Sequence, residues 1–238
     1  MKGLGTLVNV LAVLAGGGIG LIIKNGLKQR YSDILTQGCG IATIFIGISG
    51  ALQGMLIVGQ DGSISTQKSL LVILSLVIGG LVGELANIEV HIEEMGEKIK
   101  RMLHGKSDSR FVDGFVTATL IICIGAMAVV GSIQDGLTGD YSMLFAKALL
   151  DFIIEMVLAA SMGLGVLFSA LPLGIYQGGI TLFAALIAEY MTDAMIADLS
   201  CIGSVLIFCV GINLTFGKKV RVGNMLPALL IPVIYNLF

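Results

Sequence analysis

Charged residues are scarce in this chain of 238 residues, because Asp, Glu, Lys and Arg together make up only 13% of it. Typical soluble domains carry about 25% charged residues, so too few charges remain here to cover a soluble surface. The net charge of -2 leaves no basic surface for nucleic acid. The four cysteines include no Cys-x-x-Cys pair, which argues against a zinc site and against a disulfide-stapled secreted module.

Apolar residues, in contrast, make up 56% of the chain, and the mean hydropathy is +0.98. A helix needs roughly 20 mostly apolar residues to cross a bilayer core of about 30 Å. Seven stretches have about that length: Gly3–Ile23, Thr36–Val58, Ser69–Ala86, Phe115–Ile133, Ser142–Phe168, Leu173–Met191 and Leu199–Phe216. An eighth, Met225–Phe238, has 14 residues and either spans a thinned bilayer or enters only part of it. The sequence predicts an all-α polytopic membrane bundle of seven or eight spans, in one domain over residues 1–238.

The basic residues predict which way the spans run. Eleven of the 14 lysines and arginines follow spans one, three and seven, and basic loops stay on the cytoplasmic side of a membrane. The N-terminus is therefore expected outside. Membrane lipid is the expected surrounding, and the bacterial inner membrane is the expected location.

One hydrophilic segment, residues 87–113, is long enough to lie outside the membrane. Apolar residues recur there at helical spacing, at Ile88, Ile92, Met95, Ile99, Met102 and Leu103. The opposite face is charged, with Glu89, Glu93, Glu94, Glu97, Lys98, Lys100 and Arg101. This pattern is typical of an amphipathic helix at the cytoplasmic interface. A docking surface for a cytosolic partner is the alternative.

Glycine is abundant and patterned. Spans one and three share Gly-Gly-x-x-Gly at Gly16 and Gly79, and spans two and four share a Gly-x-x-Gln near their outer ends. These similarities predict a duplicated helical hairpin, unless they reflect composition alone. Several Gly-x-x-x-Gly pairs let helix backbones approach closely in lipid. We therefore expect tight packing within the chain, and a homodimer.

Span five carries the most informative ionisable residues. Lys147, Asp151 and Glu155 are four residues apart and so share one face of a helix. Ionisable groups at membrane depth are costly and need a partner or an aqueous lining. Glu155, near mid-span, is the best candidate for a buried cation or proton site. The other candidates for a polar pathway are Asn9, Gln53, Gln134, Gln177, Asn213 and Glu84, and helix-to-helix hydrogen bonding is the alternative role for each.

No enzyme motif is present, since the chain lacks His-Glu-x-x-His, Gly-x-Ser-x-Gly, a Walker loop and a Rossmann-type turn. We expect neither catalysis nor a cofactor.

Three stretches of the sequence are the most distinctive: Ser132-Ile133-Gln134-Asp135-Gly136-Leu137, Tyr176-Gln177-Gly178 and Asn224-Met225-Leu226-Pro227-Ala228. With others along nearly the whole chain, they resemble the multi-pass bacterial membrane family called domain of unknown function 554. The resemblance implies a bacterial inner-membrane protein and brings no substrate.

Two classes of function remain open from the sequence. The first is a transporter or channel for a small solute or cation, favoured by the acidic face of span five and by the glycine-interrupted first span. The second is a membrane assembly or regulatory protein that transports nothing, favoured by the amphipathic segment and the modest number of buried charges. A polar cavity reaching Glu155 would favour the first, and a solid core would favour the second.

Overall fold

A computed structural model describes residues 2–24, 28–102, 110–124, 126–188 and 191–237. Part of the predicted amphipathic segment and the end of the eighth span, Phe238, lie outside the described residues. The helices are α1 (Leu4–Lys24), α2 (Gln29–Met55), α3 (Ser69–Ala86), α4 (Ile88–Met102), α5 (Phe111–Cys123), α6 (Ala126–Thr138), α7 (Ser142–Met162), α8 (Leu164–Leu167), α9 (Ala170–Leu182), α10 (Ala184–Ala188), α11 (Asp193–Phe216), α12 (Val222–Met225) and α13 (Leu230–Leu237). A 3₁₀ turn, Leu226–Leu229, joins the last two. The predicted all-helical bundle is confirmed.

Within the described residues, five helical segments are long and apolar enough to cross a membrane: α1, α2, α3, α11, and Leu164–Leu182, which α8 and α9 form together. A sixth is the α5–α6 pair if it counts as one span, although it is bent by 60°. The predicted count of seven or eight also includes α7 and the C-terminal segment. The first carries three ionisable residues, and the second is a shorter apolar helix over 222–236. The exact number of spans stays a prediction.

Glycines set the two most extensive helix pairings. α1 runs parallel to α7, and a Cβ on Gly16 or Gly20 would lie only 2.3 Å from the carbonyl oxygen of Phe152 or Met156. α2 runs antiparallel to α11, with Gly47 against the backbone of Phe208. Because glycine has no side chain, the backbones of the paired helices come into direct contact, as they do at small residues in lipid. The pairing brings α7 alongside most of α1, from Gly5 beside Leu144 to Gly20 beside Met156.

The shared glycine motif of α1 and α3 meets different partners. Gly79 and Gly83 of α3 lie against Ala228 and Asn224 of the C-terminal segment, not against α7. Both copies thus permit close backbone contact, with different neighbours. The predicted duplication of a hairpin stays a prediction.

Several boundaries differ from the expected ones: the predicted fourth span is divided into α5 and α6, the predicted sixth into α9 and α10, and the predicted seventh begins at Asp193 and not at Leu199. Two further differences concern the second and fifth spans. Span two was expected to continue to Val58, but α2 ends at Met55 and a short antiparallel hairpin follows, β1 (Leu56–Val58) with β2 (Ile64–Thr66). Its turn contains Gly62 at φ +79°. The Ser63 hydroxyl and amide donate to Asp61, and these hydrogen bonds lower the pKa of Asp61.

The second difference is a break in the predicted fifth span. Ser142–Phe168 was expected to be one continuous helix, but α7 ends at Met162 because Gly163 adopts φ +92°, a conformation that favours glycine. The single turn α8 follows, and α9 begins at Ala170. A Cβ on Gly165 would overlap the Phe111 carbonyl oxygen, so this glycine lets α8 pack against the start of α5. The break places Ser169 beside α7.

The helix α4 occupies part of the predicted amphipathic segment, and one of its expected surface residues is buried. Glu89 was expected on the charged face, but only 5% of it is exposed. Its backbone N–H donates to Asn224 Oδ1 over 2.7 Å, and its Oε2 accepts from the backbone N–H of Gly223 over 3.0 Å. The first turn of α4 is therefore bonded to α12, and is not a free surface.

Candidate functional site

The ionisable face of α7 points into the protein. Lys147, Asp151 and Glu155 are 7%, 4% and 0% exposed, whereas Leu149, Leu150 and Ile153 on other faces are exposed. A spacing of four residues keeps the three ionisable groups on one side of a helix. In a membrane the exposed apolar residues face lipid or a partner, and the ionisable groups face Asn9 of α1, Cys123 of α5 and the turn at Ser169.

Lys147 and Asp151 form a buried ion pair. Nζ of Lys147 lies 2.5 Å from Oδ2 of Asp151, with side-chain exposures of 9% and 5%. Removing one member of such a pair leaves an uncompensated buried charge. The pair is neutral as a unit, so it adds no net charge to the cluster.

Two amides from other helices complete this level of the site. Nδ2 of Asn9, on α1, donates to Oε1 of Gln177, on α9, over 3.3 Å, and Asn9 is also within hydrogen-bonding reach of Asp151. Both amides are fully buried. Within the described residues, Asn9 Oδ1 and Gln177 Nε2 have no hydrogen-bond partner. An unpartnered buried polar atom costs about 1–3 kcal/mol, so a free acceptor and a free donor are kept here at a cost in stability.

Glu155 lies one helical turn further along α7. Its Oε2 accepts a hydrogen bond from Ser169 Oγ over 3.2 Å. Its Oε1 is buried and has no partner in the part of the chain that the structure describes. Glu155 is thus a fully buried carboxyl group with a partner for one oxygen only. We call Asn9, Lys147, Asp151, Glu155, Ser169 and Gln177 the polar cluster.

A cavity of about 460 Å³ approaches the polar cluster from the end of the bundle at which α1 begins, the N-terminal end. Thr6 and Thr181 line it, and their hydroxyls are 3.2 Å apart. Thr6 precedes Asn9 by one turn of α1, and Thr181 follows Gln177 by one turn of α9. The cavity therefore ends one helical turn short of the amide pair.

Asp135 fixes the wall of this cavity. It is fully buried, and its two carboxylate oxygens accept the backbone N–H groups of Gly3, over 3.1 Å, and Gly5, over 2.9 Å. A carboxylate is favoured at a helix N-terminus, where N–H groups lack helical partners. Asp135 thus holds the start of α1 against α6.

An apolar layer closes the cluster toward the other end, which we call the basic end because Lys24, Arg110 and Lys218 lie there. Leu158, Met162 and Val166 follow Glu155 along α7 and α8 and belong to the main apolar core. Beyond Met162 lies a second cavity of about 250 Å³, whose polar lining includes Thr36, Glu89, Glu93, Asp113, Thr117, Asn213 and Lys218. The layer separates this cavity from the polar cluster.

The basic end is held together by charged contacts. Lys218 Nζ lies 2.6 Å from Glu89 and 2.5 Å from Glu93. Burial alone would lower the pKa of Lys218, but the hydrogen bonds and charges of these two glutamates raise it. Nearby, Asn224 Nδ2 donates to Glu84 over 2.7 Å. We call these contacts, with the bonds between Glu89 and residues 223–224, the basic-end clamp.

The structure brings five of the nine predicted pathway residues together and leaves four elsewhere. Gln53 is exposed and Gln134 is half-buried outside the polar cluster. Asn213 fastens the loop after α11, because it bonds to the backbone of Lys219 and Val220. Glu84 belongs to the basic-end clamp. Because a polar residue within a span can face any side, composition alone could not separate these two groups.

Three residues of the site and its supports are not among the predicted candidates. Ser169 falls between the predicted fifth and sixth spans, and Asp135 falls just after the predicted fourth. Glu89 is predicted on the charged face of the amphipathic segment. Asp135 and Glu89 bond to residues at least 130 positions away, so no local pattern reveals their contacts.

The apolar helices and the ionisable groups buried between them define an integral membrane protein of the all-helical class. The chain belongs to the family described as Protein of unknown function (DUF554), which matches residues 4–237. It is 35% identical over 228 residues to the Uncharacterized membrane protein YdfK of Bacillus subtilis (strain 168), covering 96% of this chain and 93% of that protein. It is 31% identical over 232 residues to the Uncharacterized protein YqgA of Escherichia coli (strain K12), covering 96% and 94%. No solved structure matches the chain.

Proposed function

We propose that this protein moves a small solute or ion across the inner membrane of a bacterium, and that the path passes the polar cluster. The observation that carries the proposal is the set of three buried, unpartnered polar atoms, Asn9 Oδ1, Glu155 Oε1 and Gln177 Nε2. Buried polar groups are normally hydrogen-bonded. An occupant that brings both donors and acceptors, such as a cation with a bound water, would give these atoms hydrogen-bond partners.

The surroundings of the cluster also support transport. Ionisable residues inside a membrane bundle commonly mark substrate or ion pathways, and broken helices near such sites are common in transporters. Here the break at Gly163 lies between the α7 carboxyls and Ser169. One cavity approaches the cluster from the N-terminal end, and an apolar layer closes the opposite side. This arrangement suits a transporter closed toward one side of the membrane.

A second candidate function is a membrane assembly or regulatory protein that transports nothing. It is favoured by the apolar layer at Leu158, Met162 and Val166, which leaves no cavity through the described bundle at that level. Under this alternative, the polar cluster would only fix the arrangement of α1, α7 and α9.

The two candidates separate in proteoliposomes. Flux of alkali cations, protons, methylammonium and amino acids would be screened with the native protein and with two variants, Gln177→Leu and Gln53→Leu. The first removes the free donor of the cluster, and the second changes an exposed glutamine as the matched control. The transport proposal predicts flux of at least one species, lost in Gln177→Leu and kept in Gln53→Leu. Equal flux in both variants, or none above empty liposomes for any species, would contradict it.

We also propose that the protein is a homodimer. The support is the large number of exposed apolar side chains, together with glycines such as Gly18 and Gly80 that meet nothing within 4 Å, because small residues permit close helix contact between chains. Mass measurement in nanodiscs tests this, with two chains per particle expected. Single chains at all concentrations would contradict it.

A further inference from the structure

The charges of the polar cluster do not balance unless Glu155 is neutral or binds a cation. Lys147 and Asp151 cancel as an ion pair, so Glu155 is the remaining ionisable group of the cluster. Its Ser169 partner is uncharged. An unpaired charge buried in an apolar interior is far more costly than a neutral group. Without a bound cation, the cluster therefore suits the acid form of Glu155, with a proton on the carboxyl.

Among the described residues, the groups that interact with Glu155 supply no compensating cation. On α7, Asp151 lies one turn from Glu155, and Lys147, which is paired with Asp151, lies two turns from it. From α5, the Cys123 thiol lies within the electrostatic influence of Lys147, Asp151 and Glu155, and Tyr176 of α9 lies near that thiol. Ser169 comes from the turn before α9. Among these neighbours, only Lys147 is positive, and it is already bound to Asp151.

We propose that Glu155 is a proton-exchange site: it holds a proton when the cluster is empty and gives it up when a small monovalent cation takes its place. This inference rests on the proposed transport function and names the class of its substrate. In the exchange, the O–H bond of the carboxyl breaks, its electron pair stays on the oxygen, and the proton leaves to water. The incoming cation then binds the carboxylate, so the charge of the cluster is the same before and after.

The composition of the site selects the charge of the cation. A single uncompensated carboxylate matches one positive charge, whereas divalent ions take several oxygen ligands, often from more than one carboxylate. Nowhere in the described ranges do three or more His, Cys, Asp or Glu side chains form a group that could hold a metal ion. The unpartnered Asn9 Oδ1 is a further oxygen of the polar cluster, one turn of α7 away at the level of Asp151. The fitting class is an alkali cation or a small primary ammonium ion.

The side from which exchange occurs follows from the two ends of the cluster. Toward the N-terminal end, Asp151, Asn9 and then Thr6 continue the line of polar groups to the cavity. Toward the basic end, Leu158 and Met162 are apolar and buried. The proton and the cation therefore exchange by way of the N-terminal end, when the one helical turn between the cavity and the amide pair opens to water.

Infrared spectroscopy of the purified protein tests the proton directly. A neutral buried carboxyl gives its own C=O stretching band, and the native protein at neutral pH is expected to show one. Carbon-13 labelling of glutamate should shift that band, and labelling of aspartate should not, without any mutation. Glu155→Gln should abolish it. Asp135→Asn is the matched control, because Asp135 is equally buried but has two N–H donors, and it should leave the band unchanged.

Proton release tests the exchange. Addition of Na⁺, K⁺ or methylammonium to the native protein in weakly buffered detergent should acidify the solution, as read by a pH dye, and weaken the infrared band. Glu155→Gln should release no proton. Absence of a glutamate band, or a band that none of the three cations weakens, would overturn the exchange. Neither measurement needs a membrane. A protein that exchanges its proton for a cation but shows no flux would refute transport alone. Flux without this exchange would refute the present inference alone.

Discussion

Asn9 and Gln177 are 168 positions apart in the chain, and the amide of the first donates to the amide oxygen of the second over 3.3 Å. This contact joins α1 to α9 directly beside the Lys147–Asp151 pair. Each amide keeps one polar atom unpartnered among the described residues. The pair therefore both holds two helices together and presents an acceptor and a donor to an occupant of the site.

The Lys147–Asp151 pair makes a prediction about stability. Lys147→Met leaves the Asp151 carboxyl buried without its partner, so we expect a loss of about 3–5 kcal/mol in the free energy of unfolding. The double variant Lys147→Met with Asp151→Leu removes both charges and should recover most of that loss. Unfolding in mixed micelles measures both. A double variant as unstable as the single one would show that the charges are not the cause.

The glycines of α1 give a second prediction. Gly18, two residues after Gly16 in α1, provides its control. A Cβ on Gly16 would lie 2.3 Å from the Phe152 carbonyl oxygen, whereas a Cβ on Gly18 meets nothing within 4 Å. Overpacking at a tight contact costs about 1–3 kcal/mol, so Gly16→Ala should lower the midpoint of thermal unfolding. Gly18→Ala should leave it unchanged or raise it slightly, since alanine favours helix. Equal effects at both positions would refute the described α1–α7 packing.

The basic-end clamp depends on Asn224, which is buried and bonds to both Glu84 and Glu89. Asn224→Ala leaves the Glu89 N–H without its acceptor, at a cost of about 1–3 kcal/mol. Amide hydrogen exchange over α12 and the first turn of α4 should therefore become faster. Exchange in α1, which the clamp does not touch, serves as the internal control. Unchanged protection of α12 would mean that the clamp does not hold it.

The orientation of the chain is predicted from its basic residues and is tested by labelling. Ser107, an obvious site in the amphipathic segment, lies outside the described residues, so the exposed Glu94 of α4 is the better choice. In a background without native cysteines, Glu94→Cys should resist an impermeant maleimide in intact cells, and Ser63→Cys in the β-hairpin should react. The reverse pattern would invert the assignment.

The sequence predicted the parts of the fold that depend on continuous hydropathy. The starts of α1 and α3 lie within one residue of their expected positions, because an apolar run is itself the condition for a span. The break at Gly163 was not predicted, because a glycine at membrane depth can equally pack inside a helix, as Gly16 does. Its positive φ depends on where α8 must pack, against the start of α5.

The candidate site, like the fold, could be predicted only in part from the sequence. Lys147, Asp151 and Glu155 could be grouped because spacing on one helix fixes their common face. Their partners Asn9 and Gln177 were among the candidates, but so were Gln53 and Gln134, which lie elsewhere. Contacts between helices distant in sequence decide which amides meet, and a single sequence does not contain that information.

The central claim is that the polar cluster receives an occupant, and an experimental structure in a saturating concentration of the transported cation tests it most directly. The account predicts density in contact with Asn9 Oδ1 and Glu155 Oε1, and ordered water from there to the cavity at Thr6 and Thr181. A dry cluster, in which Asn9, Glu155 and Gln177 bond only to protein atoms with that cation present, would contradict it.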